Sequence, residues 1–380
     1  MASITKDSPF PPTMRALYAK AQGQPLTLKT LPTPHPDPGS LIVQVLALSI
    51  EPSIQDLLDG KMPYLYAPTP FIPGSRAIGR IAAIGPDTTT LCIGQLVAIE
   101  PFVRGRDNPD VKILWGIGVF GHDPPAQKLI EVWRDGSLAE YVKTPLENVY
   151  ALDEKRLLGS QAEGGLGYSL GDLSILARYM VAYGGFRGID LKAGETVIVA
   201  PATGLFSSAA VEVALAMGAR VVAVSRSLSK LQKLAAGNRR VEIVQTTGNY
   251  EEDLARIKTL GPVDAYLDLS PQEANGSSHI RACLMSLRDY GRASLMGVTT
   301  NDVDISYMMA VMKNLTIRGQ YMYEREDVKG LIKLVESGLL KLGKEGGMEI
   351  VGEFSIEQWD EGIKTVVRNP ELGKMAIMYF

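Results

Sequence analysis

Residues 196–226 read TVIVAPATGLFSSAAVEVALAMGARVVAVSR, and this stretch decides the fold. The apolar run Thr196–Ala200 predicts a strand, and the helical spacing from Phe206 to Met217 predicts a helix. A second β-branched run, Arg220–Val224, predicts a parallel strand. The stretch is therefore a predicted βαβ unit. Such a unit presents free backbone N–H groups at the helix N-terminus, where they favour a phosphate.

Further strands and helices alternate beyond this unit up to about residue 319. The strand candidates are EIVQT (242–246), DAYLDLS (264–270), RASLMGV (292–298) and LTIRGQ (315–320). This alternation predicts a doubly wound parallel sheet. Before residue 100, short strand-like segments are separated by Pro and Gly, which predicts a β-rich unit. Two domains suit a chain of 380 residues.

Composition excludes several classes of protein. A hydrophobic share of 46% and a charged share of 21% are ordinary for a globular domain, and a net charge of −3 gives no basic field for nucleic acid or anionic lipid. Two cysteines, Cys92 and Cys283, cannot build a disulfide framework. Neither a secretory signal nor an apolar run long enough to span a membrane is present. We therefore expect a cytoplasmic protein that binds neither nucleic acid nor membrane.

The order of several further stretches resembles the medium-chain dehydrogenase/reductase superfamily. The resemblance is to its zinc-lacking quinone reductases and ene-reductases, and to fungal proteins known as alcohol dehydrogenases. The stretches are PGSRAIGRIAAIG (73–85), LCIGQLVAI (91–99), GSLAEYV (136–142), GRASLMGV (291–298), LTIRG (315–319) and ELGKMAI (371–377). The resemblance implies an α/β fold in which a Rossmann doubly wound parallel sheet is inserted in a GroES-like β-barrel catalytic domain. It implies a catalytic domain of residues 1–177 and 321–380, a dinucleotide-binding domain of residues 178–320, and an active site in the cleft.

A nucleotide site is expected at the turn of the βαβ unit. The dinucleotide fingerprint requires small residues, and here Ala202, Gly204 and Ser207 stand at its positions, with Phe206 where the family has a small aliphatic residue. The alternative is that Gly204 and Ser207 only allow the helix to pack on the sheet. The implied cofactor-binding residues in this turn and at the nicotinamide pocket are Pro201, Ala202, Thr203, Gly204, Leu205, Phe206, Ser207, Gly297, Val298 and Tyr323.

The end of the second strand selects the cofactor. An Asp there would accept hydrogen bonds from a ribose 2′-hydroxyl and repel a 2′-phosphate. This chain has Ser225, Arg226 and Ser227, with Lys230 about a turn later. Two cations and two hydroxyls suit a phosphate, so we expect NADP(H) rather than NAD(H). The alternative is a solvated helix start with Ser227 as its N-cap.

No metal site is expected. The resemblance places the zinc ligands of zinc-dependent members at Glu51 and at Ser75-Arg76, and a cation at Arg76 opposes metal binding. No cysteine lies near residues 100–125, where the structural zinc lobe would need four. The three histidines, His35, His122 and His279, are widely separated in the sequence. Without a Lewis acid, a polarised carbonyl depends on hydrogen-bond donors.

Ser53 and Asp56 are the first catalytic candidates. The resemblance places an active-site loop at residues 48–60, with Ser53 where alcohol dehydrogenases keep a hydroxyl on the substrate oxygen. A hydroxyl and a carboxyl near the nicotinamide could donate or shuttle a proton. Alternatively, Ser53 is the N-cap of a short helix and Asp56 lies in its first turn. Glu51 is either a proton carrier or, as we favour, an ion-pair partner of Arg76.

Tyr64 and His122 complete the catalytic candidates. Tyr64 lies in a Pro-rich loop that could line the substrate cleft, with its phenol as donor to an enolate oxygen; the alternative is a surface tyrosine. His122 precedes Asp123 in a loop-rich segment, residues 101–137, with helix expected only near residues 127–132. This pair could act as acid and base. A turn before Pro124 is the favoured alternative.

The sequence thus predicts a zinc-independent, NADPH-dependent oxidoreductase that transfers hydride to an α,β-unsaturated carbonyl or a quinone-type small molecule. One alternative is an NADP-dependent alcohol dehydrogenase or carbonyl reductase. Another class is a non-redox, cofactor-assisted cyclase or isomerase, or a cofactor-binding protein without turnover. The last strand of the sheet, Leu315–Gln320, would leave an exposed edge in a monomer, so we expect a homodimer paired through that edge.

Overall fold

The computed structural model describes residues 10–62, 65–121 and 123–380. Internal contacts divide the chain into two units. The first unit contains residues up to 177 together with residues 342–380, and the inserted unit contains residues 178–341. Within the described residues, no helix is both long enough and apolar enough to cross a lipid bilayer.

The first unit begins with short strands and helices. They are β1 (Thr13–Tyr18), β2 (Thr27–Pro32), β3 (Ser40–Ser49), α1 (Ser53–Leu58), β4 (Leu65–Tyr66), β5 (Ala77–Ile84), β6 (Leu96–Ile99), β7 (Phe102–Arg104), β8 (Lys112–Leu114), β9 (Val119–Phe120), α2 (Pro124–Val132), β10 (Tyr141–Pro145), β11 (Val149–Ala151), α3 (Glu154–Leu158) and α4 (Leu170–Leu173).

The inserted unit alternates helix and strand. Its elements are α5 (Leu176–Gly188, whose first residues precede the boundary), β12 (Thr196–Ala200), α6 (Leu205–Ala216), β13 (Arg220–Ser225), α7 (Leu228–Ala235), β14 (Val241–Gln245), α8 (Tyr250–Lys258), β15 (Val263–Asp268), α9 (His279–Ser286), β16 (Leu287–Leu295), α10 (Tyr307–Met312), β17 (Thr316–Gly319) and α11 (Arg325–Glu336). The chain then returns to the first unit with β18 (Glu349–Ser355), α12 (Trp359–Arg368) and β19 (Lys374–Tyr379).

Both ends of the chain build the sheet of the first unit. Its strand order is β11-β6-β5-β3-β19-β18, with β10 also paired to β3. The C-terminal strand pairs antiparallel with β3, and Met378 lies opposite Leu48. Leu41, Ile99 and Met378 are almost completely buried in one apolar core. This is the GroES-like arrangement that the resemblance predicts, and the prediction is confirmed.

The loop-rich segment contains more regular structure than its sequence suggests. Residues 101–137 include three very short strands, and the helix starts at Pro124, earlier than the predicted residue 127. Proline suits the first turn of a helix because its missing N–H would be unpaired there. Trp115 anchors the segment: it is fully buried, and its Nε1 donates to the Asp135 carbonyl at 2.9 Å.

The inserted unit has the predicted parallel sheet. Its strand order is β14-β13-β12-β15-β16-β17, and every neighbouring pair is parallel. The doubly wound prediction is therefore confirmed. Strand β12 lies inside the sheet, with Val199 opposite Ala223 of β13 on one side and Ala200 opposite Asp268 of β15 on the other. Strand β16 begins earlier than predicted because Leu287 pairs with Val263 before an irregularity in the ladder.

Residues 321–341 pack within the inserted unit, whereas the resemblance implies that they belong to the catalytic domain. Helix α11 buries an apolar face that includes Val328, Leu331 and Val335. Tyr323 lies so close to α5 that a Cβ on Gly184 would be 2.5 Å from the Tyr323 Cβ. These contacts explain why the segment belongs with the parallel sheet.

One enclosed carboxylate connects α5 to α6. The Tyr179 hydroxyl donates to Glu212 Oε2 at 2.7 Å. Burial raises the pKa of the Glu212 carboxyl to about 7, although the Tyr179 hydrogen bond and the charge of Arg178 oppose the shift. The same carboxyl ionises near pH 4.5 in the unfolded chain. The folded state therefore binds more protons between these pH values, and its stability falls as pH rises through them.

We expect Glu212→Gln to stabilise the protein above pH 7. The amide oxygen can still accept from Tyr179, while the cost of ionising a buried acid disappears. The gain should be about 3.5 kcal/mol at most, since one pKa unit corresponds to roughly 1.4 kcal/mol, and it should vanish as pH falls to 4.5 and below. Urea unfolding at both pH values measures it. Glu252→Gln, at an exposed position on α8, is the control and should show no such gain; an equal gain in both variants would contradict this account.

Candidate functional site

The turn after β12 is tied to the end of β13. Strand β12 ends at Ala200, and helix α6 begins at Leu205. The Ala202 N–H donates to the Val224 carbonyl at 2.8 Å. The Thr203 Oγ1 and Ser225 Oγ atoms are 2.6 Å apart, within hydrogen-bond distance. The two strand ends are thus held at a fixed spacing at the carboxyl edge of the sheet.

Ser207 caps the helix that follows this turn. Its buried hydroxyl accepts a hydrogen bond from the Gly204 N–H at 3.0 Å. Gly204 is exposed, and a Cβ added to it would meet only the Ser207 Oγ, at 3.0 Å. The turn therefore faces open space on the side where a helix N-terminus favours an anion. Leu205 is 37% exposed, and Phe206 and Pro201 are half-buried around the turn.

A cation lies at the carboxyl end of β13. Ser225 is buried, whereas Arg226 and Lys230 are exposed. The Gln245 side-chain amide donates to the Arg226 carbonyl at 3.1 Å, which fixes the backbone of the arginine. Ser227 is the N-cap of α7, as the alternative interpretation of this stretch expects. With Ser227 as the N-cap, both cationic side chains lie exposed near the carboxyl end of β13.

Asp268 organises the carboxyl ends of β15 and β16. It accepts hydrogen bonds from the Tyr266 hydroxyl at 3.0 Å and from the Ser270 hydroxyl. Burial raises the pKa of Asp268, against the opposing effect of these donors. Gly297 is required here because a Cβ would lie 2.6 Å from Asp268 Oδ2 and 2.7 Å from the Ser270 carbonyl oxygen. The Val298 N–H donates to that carbonyl at 2.8 Å.

The residues that the resemblance places at the nicotinamide pocket differ in their exposure. Val298 is 42% exposed at the end of β16. Tyr323 is 3% exposed because it packs against Gly184 on α5. The cluster of Asp268, Ser270 and the neighbouring His279 was not predicted from the sequence. The signal that could have found it is an acid that ends an apolar strand and is followed two residues later by a hydroxyl.

Ser53 and Asp56 lie together on α1 of the first unit. Ser53 is the first helical residue and is exposed, while the N-cap is Pro52. The alternative interpretation of Ser53 as an N-cap is therefore wrong: the chain enters the helix one residue earlier. Asp56 lies in the first turn, with half of its side chain exposed and its Oδ1 3.5 Å from Lys61 Nζ. Tyr64 and His122 lie outside the described residues.

Two family profiles match the two halves of this architecture. The profile described as the alcohol dehydrogenase GroES-like domain matches residues 37–154. The profile described as zinc-binding dehydrogenase matches residues 207–337, which contain most of the parallel sheet. The chain belongs to the medium-chain dehydrogenase/reductase superfamily.

One curated relative and two solved structures match most of the chain. A probable D-xylulose reductase A of Aspergillus clavatus is 29% identical over 348 residues, which are 87% of this chain and 90% of the relative. The structure of a cobalt- and zinc-bound thermostable alcohol dehydrogenase from Pyrobaculum aerophilum has a TM-score of 0.70 at 20% identity, covering 97% of this chain and all of the other. A short chain alcohol dehydrogenase of E. coli CFT073, in complex with NADH, has a TM-score of 0.73 at 18% identity, covering 97% and 100%.

One matching profile is described as zinc-binding dehydrogenase, so the residues of this chain must be tested against zinc. Among residues 10–62, 65–121 and 123–380, no group of three or more His, Cys, Asp or Glu side chains could hold a metal ion. Glu51 accepts from the Ser49 hydroxyl at 3.0 Å, and Ser75 and Arg76 follow Gly74. An alcohol and a guanidinium are not zinc ligands. The described donor set therefore does not fit zinc.

Proposed function

We propose that this superfamily member is a zinc-independent oxidoreductase that uses NADP(H) to reduce an α,β-unsaturated carbonyl or a quinone-type small molecule. The exposed Arg226 at the carboxyl end of β13 is the observation that carries the cofactor choice. In open α/β sheets a dinucleotide lies at this edge, where the strand order reverses. Here the order reverses between β12 and β15.

The chain's own groups suit such a cofactor. The open turn at Gly204 and the N-terminus of α6 would face the pyrophosphate. Arg226, with the nearby Ser225 and Lys230, would receive the 2′-phosphate, because a guanidinium binds phosphate through two parallel hydrogen bonds. When bound, NADPH supplies a hydride from C4 of its nicotinamide.

The side chains described above, which do not fit zinc, favour a substrate whose reduction needs no metal. Hydride addition at the β-carbon of an enone yields an enolate, and hydrogen-bond donors can stabilise that charge. Ser53 and Asp56 on α1 are our candidates for moving the proton, because both side chains are accessible. Ser75 and Arg76 are not zinc ligands. They therefore favour this interpretation over a reaction in which zinc polarises a carbonyl.

A second candidate is an NADP-dependent alcohol dehydrogenase or carbonyl reductase. The Aspergillus relative, a probable D-xylulose reductase, favours it. A third class, a cyclase, isomerase or binding protein without redox turnover, fits the same fold because a fold does not determine a reaction. The two cysteines are free, Cys92 exposed and Cys283 buried, which suits the cytoplasmic location that we propose.

We expect NADPH oxidation with enones or quinones, unaffected by a zinc chelator. The purified protein is assayed by NADPH absorbance against enones, quinones, aldehydes and polyol-derived ketones, and its zinc content is measured by mass spectrometry. Stoichiometric zinc together with chelator-sensitive ketone reduction would transfer support to the second candidate. Conversion of substrate without net NADPH consumption would support the third class.

Arg226→Ala tests the cofactor choice. We expect the Michaelis constant for NADPH to rise by about 10- to 100-fold, since a charge-assisted contact contributes about 1.5–3 kcal/mol, while that for NADH changes little. Steady-state kinetics with both cofactors measure the effect. Arg239→Ala removes the same charge just before β14, at the amino edge of the same sheet, and should leave both constants unchanged. Equal losses with NADPH and NADH would contradict the assignment to a 2′-phosphate.

We also propose a homodimer paired through β17, which is the outer strand of the parallel sheet. Helix α10 precedes it and exposes an apolar surface: Tyr307 is 84% exposed, Met308 72% and Met312 67%. An outer strand leaves backbone groups unpaired, and a second copy can pair with it antiparallel across a two-fold axis. The same axis would bring a second apolar α10 surface to the interface and cover both.

Light scattering after size exclusion should give twice the monomer mass. The double substitution Met308→Lys, Met312→Lys places charges in the proposed interface, so we expect it to give the monomer at the same concentration. Val367→Lys is the control, because Val367 is 60% exposed on α12 of the first unit. A wild-type monomer, or a double variant that remains dimeric, would overturn the proposed interface.

A further inference from the structure

A chain of hydrogen bonds leads from the surface of the inserted unit to Asp268. Exposed Ser277 has its Oγ 2.7 Å from His279 Nδ1. The other ring nitrogen, His279 Nε2, lies 2.9 Å from Ser270 Oγ. The Ser270 hydroxyl donates in turn to Asp268. His279 is 6% exposed, so its imidazole is buried between the two serines.

The hydrogen-bond directions determine where the imidazole can gain a proton. An ionised Asp268 only accepts, so the Ser270 hydroxyl hydrogen points to it, and the Ser270 oxygen accepts from His279 Nε2–H. In the neutral ring, Nδ1 then accepts from the Ser277 hydroxyl. A proton added at Nδ1 reverses only this last hydrogen bond, because the Ser277 hydroxyl can also accept. The chain therefore accommodates both charge states of His279.

This chain of hydrogen bonds belongs to the carboxyl edge that holds the proposed cofactor site. The Leu269 N–H donates to the Ala200 carbonyl at 3.1 Å, so the segment after Asp268 is tied to the end of β12, where the proposed pyrophosphate turn begins. The loop after β14 connects His279 to the arginine: the Ser278 Oγ donates to the Gly248 carbonyl at 3.1 Å, and Gln245, three residues earlier, donates to the Arg226 carbonyl.

Charges of both signs face the imidazole. Burial lowers the pKa of His279; Asp268 opposes this effect, Arg226 adds to it, and Asp253 opposes it. The charged groups that act on the ring are Asp268 on β15, Arg226 after β13 and Asp253 on α8, while Tyr266 on β15 and Cys283 on α9 interact with Asp268. A phosphate bound to Arg226 would offset the one cation in this set and so favour the imidazolium.

We propose that His279 is a positioning residue that couples phosphate binding at Arg226 to uptake of a proton by the imidazole. The inference rests on the proposed NADP(H) site and adds a regulatory property to it. Nucleotide affinity would then rise as pH falls towards the range in which the ring gains its proton. The imidazolium would keep the hydrogen bonds to Ser270 and Ser277 and add a positive charge near the bound phosphate.

Calorimetry of the full-length protein tests the coupling. Adenosine 2′,5′-bisphosphate and 5′-AMP are titrated at about pH 6 in two buffers of different ionisation enthalpy, which gives the number of protons exchanged on binding. Wild type should take up more protons than His279→Gln with the bisphosphate, by roughly a few tenths to one. The two proteins should not differ with 5′-AMP. Glutamine retains an N–H donor for Ser270, and His35→Gln, at an exposed position, is the matched control.

The outcomes separate this inference from the proposed function. Equal proton uptake by wild type and His279→Gln, with tight binding of the bisphosphate, would overturn the coupling and leave the NADP(H) assignment intact. Failure of wild type to bind the bisphosphate would overturn both. If His279→Gln does not fold, imidazole titration by NMR in the wild type decides instead. The chain has three histidines, and only His279 should show an increase in pKa when the bisphosphate is added.

Discussion

The position of β12 between β13 and β15 is the constraint on which the rest of the inserted unit depends. Parallel ladders on both sides fix Ala200 against Asp268 and Val199 against Ala223. At the carboxyl end of β12, the Leu269 N–H donates to the Ala200 carbonyl at 3.1 Å. A shift of one residue in either ladder would turn every buried side chain of the strand to the opposite face. The turn after β12 and Asp268 on β15 are therefore held together by backbone pairing.

This constraint places an acid and a cation at the same edge of the sheet, on either side of β12. Asp268 at the end of β15 accepts from two hydroxyl donors, and Arg226 lies exposed after β13. A phosphate in the proposed site would meet favourable charge at Arg226, while the Tyr266 and Ser270 hydroxyls satisfy the buried Asp268. The edge can thus attract an anion although the whole chain carries a net charge of −3. Salt screens the interactions of exposed charges that lie more than about 10 Å apart. The charges close to this edge therefore matter more for anion binding than the net charge of the chain.

Features carried by consecutive residues could be predicted from the sequence, and features that depend on the packing of distant segments could not. The strands of the parallel sheet read as apolar runs because both of their faces are buried. Arg226 directly follows such a run and was therefore predicted to lie at the edge of the sheet. The strands within residues 101–137 are only two or three residues long, too short for a period. His279 meets Ser270 across a nine-residue separation, which no local pattern encodes.

Ser207 shows how a fingerprint with a single glycine remains compatible with a nucleotide. The position requires a small side chain because the helix packs closely on the sheet, and serine is only one oxygen larger than alanine. Its hydroxyl turns back to accept from the Gly204 N–H, so the polar atom is satisfied within the helix end and does not project into the open turn. The same bond occupies one backbone donor that a diphosphate could otherwise use. In the proposed site, a turn with fewer donors would depend more strongly on the cation at Arg226, so the proposed cofactor choice and the cofactor affinity would be linked.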